Sequence, residues 1–286
     1  MTTFLRACAA RLKRAKDSRQ LRFLGIVTAG LLLLANKAPG KEVQVMTSGA
    51  FTEACIELSP EFERKTSTKV VTAFGASMGN TPEAIPSRME RGEPVDVVIL
   101  ASSALEELIK QGKVVPGSRV DLVRSGIGMV VRAGAPKPDI NSVEALKRTL
   151  LEASSISYSD SASGVYIATE LFQRLGIADQ VRGKTKKIEG EPVAAVVARG
   201  DSQIGFQQVS ELLPVRGVDY LGPLPPEVQK ITVFSAGIAV GARHPDAARA
   251  LIEFFRSPAA LPTIKRTGLE PIALDDSKTK KRDRQR

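Results

Sequence analysis

The chain has 286 residues and 43% hydrophobic content, enough for two α/β domains of roughly 100–150 residues each, so disorder over most of its length is excluded. Its formal charge of +10 suggests a nucleic-acid binder until that charge is located. Residues 1–40 carry eight Lys/Arg against one Asp and residues 275–286 carry six against three, which leaves the body between them neutral and removes the basic face that phosphate binding needs. A single histidine, His244, excludes multi-His metal sites and restricts any His-dependent hydrolase to that one residue, which sits at the start of a helix as a surface or capping group. Of the two cysteines, Cys8 lies in a segment expected to be removed. Cys55, amid Phe51, Ala54 and Leu58, fits a buried helix face, with no CxxC motif and no intramolecular partner.

The N-terminus reads as an export signal. A basic stretch over residues 1–22 precedes the uncharged run Phe23–Ala35, whose 13 residues are too few to span a bilayer but match a signal-peptide core. Small residues follow at Ala35 and Ala38, and no lipoprotein cysteine follows the run. Residues 1–38 are therefore expected to be cleaved and the mature chain to be periplasmic, an uncleaved membrane anchor being the alternative.

From Lys41 the pattern is strand then helix, repeatedly. Glu42–Thr47 is a strand ending in Ser48-Gly49-Ala50, and Phe51–Glu63 carries its apolar residues at helical spacing. Lys69–Phe74 is a second strand, followed by Gly75–Asn80. Thr81 with Pro82 predicts a helix start, running to about Arg91. Val95–Leu100 is nearly all apolar, like a strand buried on both faces, and a helix from Ser103 to Gln111 follows. Gly126–Arg132 is another strand. Asn141 and Glu144 stand in capping-box spacing. Ser155–Tyr158 leads into Ser159–Gly164 and a helix to Leu175. Gly190-Glu-Pro-Val opens an Ala/Val-rich helix to Arg199. Gln203–Gln207 and Ile231–Val240 are strands, Pro245–Arg256 is a helix, and residues 275–286 form a basic tail expected to be disordered.

Three strands end in small, hydroxyl-rich turns that open helices: Thr47–Ala50, Gly75–Asn80 and Ser159–Gly164. Helix N-termini present free N–H groups and a positive dipole end, and small residues let a ligand reach them. Three such turns at the carboxyl ends of strands, where open α/β sheets place ligands, point to a small-anion site. None matches a nucleotide-binding phosphate loop or a dinucleotide fingerprint.

The order of elements, with Val45-Met-Thr-Ser-Gly-Ala-Phe-Thr-Glu-Ala, Glu93-Pro-Val-Asp-Val-Val-Ile, Ser163-Gly-Val-Tyr and Gln203-Ile-Gly-Phe-Gln, resembles periplasmic solute-binding proteins of the molybdate-binding type over about residues 42–270. The resemblance implies a two-lobed type II periplasmic-binding-protein fold of α/β class, with a ligand cleft between lobes. It places lobe one at 39–122 plus 236–274, lobe two at 123–235, and a hinge near Val120–Ser125 and Phe234–Gly237. It also implies a small anionic ligand held without metal or cofactor, and an ABC-type membrane component as partner. Such proteins grip a tetrahedral oxyanion with two Ser hydroxyls, backbone amides and a Tyr hydroxyl. Carried over, the first turn supplies Ser48, Gly49 and Ala50, with Ala50 where a Ser belongs, and Thr47 just before. The second supplies Ser77 and Met78 in a longer loop. Ser163, Gly164 and Gly190 fall at the amide positions, and Gln208 stands where the Tyr belongs. With two hydroxyls missing, a small organic carboxylate suits the longer loop, and Arg88 is a candidate to meet it bidentately. The phrases Ser-Met-Gly-Asn-Thr and Arg-Gly-Glu-Pro are also similar to aconitate isomerases, which implies an alternative: proton transfer on a propene tricarboxylate, with Glu189, Glu191, Asp160 or Tyr166 as acid/base.

N-terminal sequencing of the exported protein is expected to start near residue 39; a sequence beginning at Met1 contradicts the export reading.

Overall fold

Alternation along the strands divides each sheet's side chains between two cores. The computed structural model describes residues 41–272, so the expected signal segment and basic tail lie outside the described part. In chain order the first sheet receives β1 (Glu42–Ser48), helix α1 (Gly49–Thr66), β2 (Lys69–Gly75), α2 (Ile85–Glu90), β3 (Val97–Ala101), α3 (Ser102–Lys110) and β4 (Val120–Ser125). The second sheet follows with β5 (Ile127–Arg132), α4 (Val143–Glu152), β6 (Ile156–Ser159) and α5 (Ala162–Tyr166). A π-helical turn at Ile167–Leu171 joins α5 to α6 (Phe172–Arg174), and α7 (Ala178–Val181), β7 (Thr185–Ile188), α8 (Val193–Arg199), β8 (Ile204–Gln208), α9 (Val209–Leu212) and β9 (Val218–Pro223) complete this half. The chain then returns through β10 (Thr232–Ile238), α10 (Pro245–Phe255), α11 (Leu261–Arg266) and β11 (Glu270–Pro271).

The first sheet has six strands in the order β11-β4-β10-β3-β1-β2, and the second has five in the order β7-β6-β8-β5-β9. β3 shows how the sequence builds the first. Val97, Ile99 and Ala101 join the core under α1, α10 and α11, while Val98 and Leu100 join Met46, Ile85, Leu105 and Leu108 on the other face. Helix α1 buries the stripe Phe51, Ala54, Cys55, Leu58 and Phe62, and Phe51 meets Phe255 edge to face at 5.2 Å between ring centroids. Cys55 is a buried free thiol whose pKa burial pushes up, as its place on that stripe requires. In the second sheet Ile127, Met129 and Val131 face one core and Val130 the other.

Two expected helix starts fall elsewhere. Thr81–Glu83 is a turn, because the Ile85 N–H is taken by the Ala76 carbonyl at 3.0 Å and Pro86 occupies the first helical turn of α2. The cap of α4 is Ser142, whose Oγ accepts from Ala145 N–H at 3.1 Å, while Asn141 turns to Asp139.

One buried carboxylate ties the floor of the first sheet together. Asp96 is 1% exposed and accepts backbone N–H groups from Gln44 (2.8 Å), Arg243 and His244. It thereby joins β1 to the start of α10, where His244 sits as expected without a side-chain cap bond. Asp96→Ala orphans three donors and is expected to lower unfolding free energy by about 2–4 kcal/mol, read by urea denaturation. A loss below about 0.5 kcal/mol contradicts the role.

Candidate functional site

Strand register brings the three turns together. β1 and β2 are parallel with Ser48 opposite Gly75, so the first two turns leave the sheet side by side. In the second sheet β6 and β8 are parallel with Tyr158 opposite Phe206, which sets Ser159 beside Gln207 one step further on. The carboxyl ends of both sheets face a cleft of about 240 Å³. Its first-sheet wall is Gly49, Phe74–Ala76, Thr81 and Glu83. The opposite wall is Ser159–Ser161, Gly190–Pro192, Gln207 and Glu211. The halves touch directly where Ser77 N–H donates to Ser161 Oγ at 3.3 Å.

The Glu211 carboxyl lines this cleft. A β-carbon on Gly49 would stand 2.1 Å from Glu211 Oε2, so the first residue of α1 lies directly against this carboxyl and a larger residue there would have to displace it. Gln207 fixes its orientation: the Gln207 carbonyl accepts Val193 N–H at 3.0 Å, which commits its amide nitrogen to donate to Glu211 Oε2 at 2.7 Å. Burial pushes the Glu211 pKa up to about 7, with the Gln207 hydrogen bond opposing and the Asp160 charge reinforcing the rise. Asp160 is also pushed up by burial, against bonds from its own and the Gly190 backbone N–H, and its Oδ2 has no partner. Glu191 is offset by Arg199 at 2.8 Å. Among the described residues the cleft wall carries no cation. It carries four carboxyls, Glu83, Asp160, Glu191 and Glu211, of which Asp160 and Glu211 are shifted toward their neutral forms.

The residues singled out in sequence divide among three settings. Gly49 and Gly190 line the cleft, with Asp160 and Glu191. Ser48 lies buried immediately before Gly49 with its Oγ unpartnered, and Ala50 is buried just inside α1. Ser77 is buried and its Oγ accepts Ala101 N–H at 2.9 Å, tying the second turn to β3. Met78 packs on the first-sheet core. Ser163 is buried with its Oγ 3.0 Å from Ser159 Oγ. Gly164 is required by the chain itself, since a β-carbon there would lie 1.6 Å from the Ser159 carbonyl oxygen. Arg88 points to Glu93 (2.7 Å) and the Phe74 carbonyl (3.3 Å) and borders a separate hollow with Gln44 and Arg243. Tyr166 is 2% exposed and donates to the Val228 carbonyl at 2.6 Å. Glu189 pairs with Lys187 at 2.6 Å.

Gln208 has a different task. Its amide lies between the two passages of chain from sheet to sheet, with its nitrogen donating to the Gly126 carbonyl (3.1 Å) and its oxygen accepting from Thr232 Oγ1 (3.2 Å). Gln229 reinforces the junction by accepting from Ile127 N–H at 2.8 Å and donating to its carbonyl at 2.9 Å. Gln207 and Glu211 were passed over in sequence. Their one signal is position: two glutamines close a buried strand and a glutamate follows one turn later.

Two mixed sheets joined by two chain passages, with a cleft at their carboxyl ends, define a two-lobed periplasmic-binding-protein fold. The match to the family described as bacterial extracellular solute-binding protein runs over residues 43–270, and the chain belongs to that family. It is 44% identical over 254 residues to an aconitate isomerase of a Pseudomonas species, covering 87% of this chain and 97% of that protein. It is 29% identical to the molybdate-binding protein ModA of Azotobacter vinelandii, covering 85% of this chain and 95% of that one. Among solved structures, the Azotobacter vinelandii periplasmic molybdate-binding protein superposes with a TM-score of 0.65 at 20% identity, covering 82% of this chain and all of that one.

The Glu211 environment has a measurable consequence. Its carboxyl is raised on folding from 4.5 to about 7, so between those values the native state holds a proton that the unfolded chain has released. Stability therefore falls as pH rises through that window. Relative to Glu211→Gln, the wild-type protein is expected to lose about 1–3 kcal/mol across it, after allowance for the side chain's partial exposure. Parallel stability–pH curves for the two proteins contradict the assignment.

Proposed function

We propose that the cleft binds a small organic polycarboxylate and that the protein is an exported isomerase interconverting cis- and trans-aconitate. The observation that carries this reading is Glu211, a carboxyl poised near neutral pH in the cleft wall. Binding alone gives such a group no task, since an ionisable carboxyl opposes any anion in the cleft. Proton transfer on carbon instead requires an acid/base whose pKa lies near the working pH. Two further points support the reading. Ala50 and Gln208 stand where the oxyanion cage would place hydroxyls, and Gln208 is occupied at the inter-lobe junction. The 44% identity with an aconitate isomerase extends along nearly the whole of that protein.

Three of the four carboxyls in the wall are accounted for. Glu191 is paired with Arg199, while Asp160 and Glu211 are shifted toward their neutral forms. The start of α1, a helix of 18 residues with no acidic residue in its first turn and no side-chain cap bond, lends this wall a positive dipole end that favours an anionic ligand.

A transport role is the second reading, in which the same cleft delivers its anion to an ABC-type membrane component. It is favoured by the family and by the 29% identity with a molybdate-binding protein.

Incubation of the purified protein with trans-aconitate is expected to yield the cis isomer by chromatography. Aconitate at about 100 times its dissociation constant is expected to add about 2.7 kcal/mol in a melting assay, more than molybdate adds. A large molybdate shift with neither an aconitate shift nor conversion contradicts the isomerase reading and leaves oxyanion transport.

A further inference from the structure

We propose that Glu211 is the group that moves the proton, taking it from the methylene carbon of a bound propene tricarboxylate and returning it to the other terminal carbon, with Gln207 as the residue that aims it. The inference rests on the isomerase reading and assigns its chemistry to one side chain. Of the four acid/base candidates suggested by sequence, Tyr166 is spent on the Val228 carbonyl, Glu189 is paired with Lys187 and Glu191 with Arg199. Asp160 remains in the cleft with its Oδ2 unpartnered, but no side-chain amide aims it as Gln207 aims Glu211. Glu211 alone combines a place in the cleft wall, a single amide partner and direct apposition to the start of α1. In the same wall Asp160 Oδ2 is buried and unpaired, a polar atom left for a ligand.

The step balances on one carboxyl. Ionised Glu211 removes a proton from the methylene carbon; that C–H bond breaks, and its electron pair spreads over the three-carbon frame into the flanking carboxylate. The double bond moves by one carbon, and the Glu211 O–H returns the proton to the far terminus. No metal, oxidant or second base is consumed. Rotation about the partial double bonds of the delocalised intermediate, before the proton returns, sets cis or trans.

The groups around Glu211 support this role. Gln207 on β8 is neutral, and α1 presents N–H groups. Burial raises Glu211 and nearby Asp160 after β6 adds to that rise, Glu191 before α8 is paired with Arg199, and Glu83 lies in the opposite wall. A bound polycarboxylate adds negative charge and strengthens the base further. The rate is therefore expected to rise with pH as Glu211 ionises.

The test compares wild type, Glu211→Gln, Glu211→Asp and Gln207→Met for aconitate conversion across pH, with aconitate affinity by calorimetry and folding by circular dichroism. Glu211→Gln is expected to lose about 10²–10⁴-fold in kcat while binding aconitate within about tenfold of wild type. Glu211→Asp, which keeps the acid but withdraws it by one methylene, is expected to fall at least about tenfold and carries the test if the Gln variant does not fold. Gln207→Met removes the bond that lowers the Glu211 pKa, so the midpoint of the kcat–pH profile is expected to move upward. Unchanged conversion by a folded Glu211→Gln or Glu211→Asp, with active wild type, overturns the assignment while the isomerase reading stands. An unmoved midpoint in Gln207→Met removes the positioning role. Failure of wild type to convert aconitate overturns both.

Discussion

The start of α1 lies directly against the Glu211 carboxyl, and this apposition organises the cleft. Gly49 opens the longest helix of the first sheet, and Glu211 lies one turn beyond the end of β8 in the second. Their apposition removes water from a carboxyl and brings it to the positive end of a helix dipole. Desolvation wins, since Glu211 is raised rather than lowered. The Gln207 amide moderates the rise without cancelling it. A group balanced between charged and neutral forms is the result.

The two junctions between sheets decide how this cleft is held. Gln208 links Gly126 to Thr232, and Gln229 links its own segment to Ile127, so side-chain amides cross-tie both passages of chain. Ser77 to Ser161 is the direct bond across the cleft itself, made by a backbone donor and a hydroxyl. Among the described residues the amide ties gather at the junction, while the bond across the cleft is long. The same division explains why Ser77 and Gln208, placed at the ligand by resemblance, spend their polar atoms on the scaffold.

Central elements were legible in the sequence because burial on both sides leaves a continuous apolar signal. β3 and β8 are buried at every residue, and α1 carries a regular stripe. Of the strands not marked in the sequence, β7, β9 and β11 are edges of their sheets, while β4 enters only as part of the implied hinge. β7 exposes Lys186 and Lys187, and β11 has two residues, so neither alternation nor an apolar run marks them. The three turns were legible through their small residues. Glu211 was not, because desolvation is a property of the assembled cleft and leaves no local pattern. Arg88 shows a similar limit: one turn inside α2 it is near the loop in sequence, while in the fold it pairs with Glu93 five residues on.

The central claim concerns one carboxyl, and its titration can be observed directly. In protein carrying ¹³C-carboxyl glutamate, with Glu211→Gln used to assign the signal, the Glu211 resonance is predicted to titrate near pH 7 and to move upward when trans-aconitate is added. A midpoint in the ordinary range of about 4–4.5, insensitive to aconitate, would contradict both its place in the cleft and its part in the chemistry.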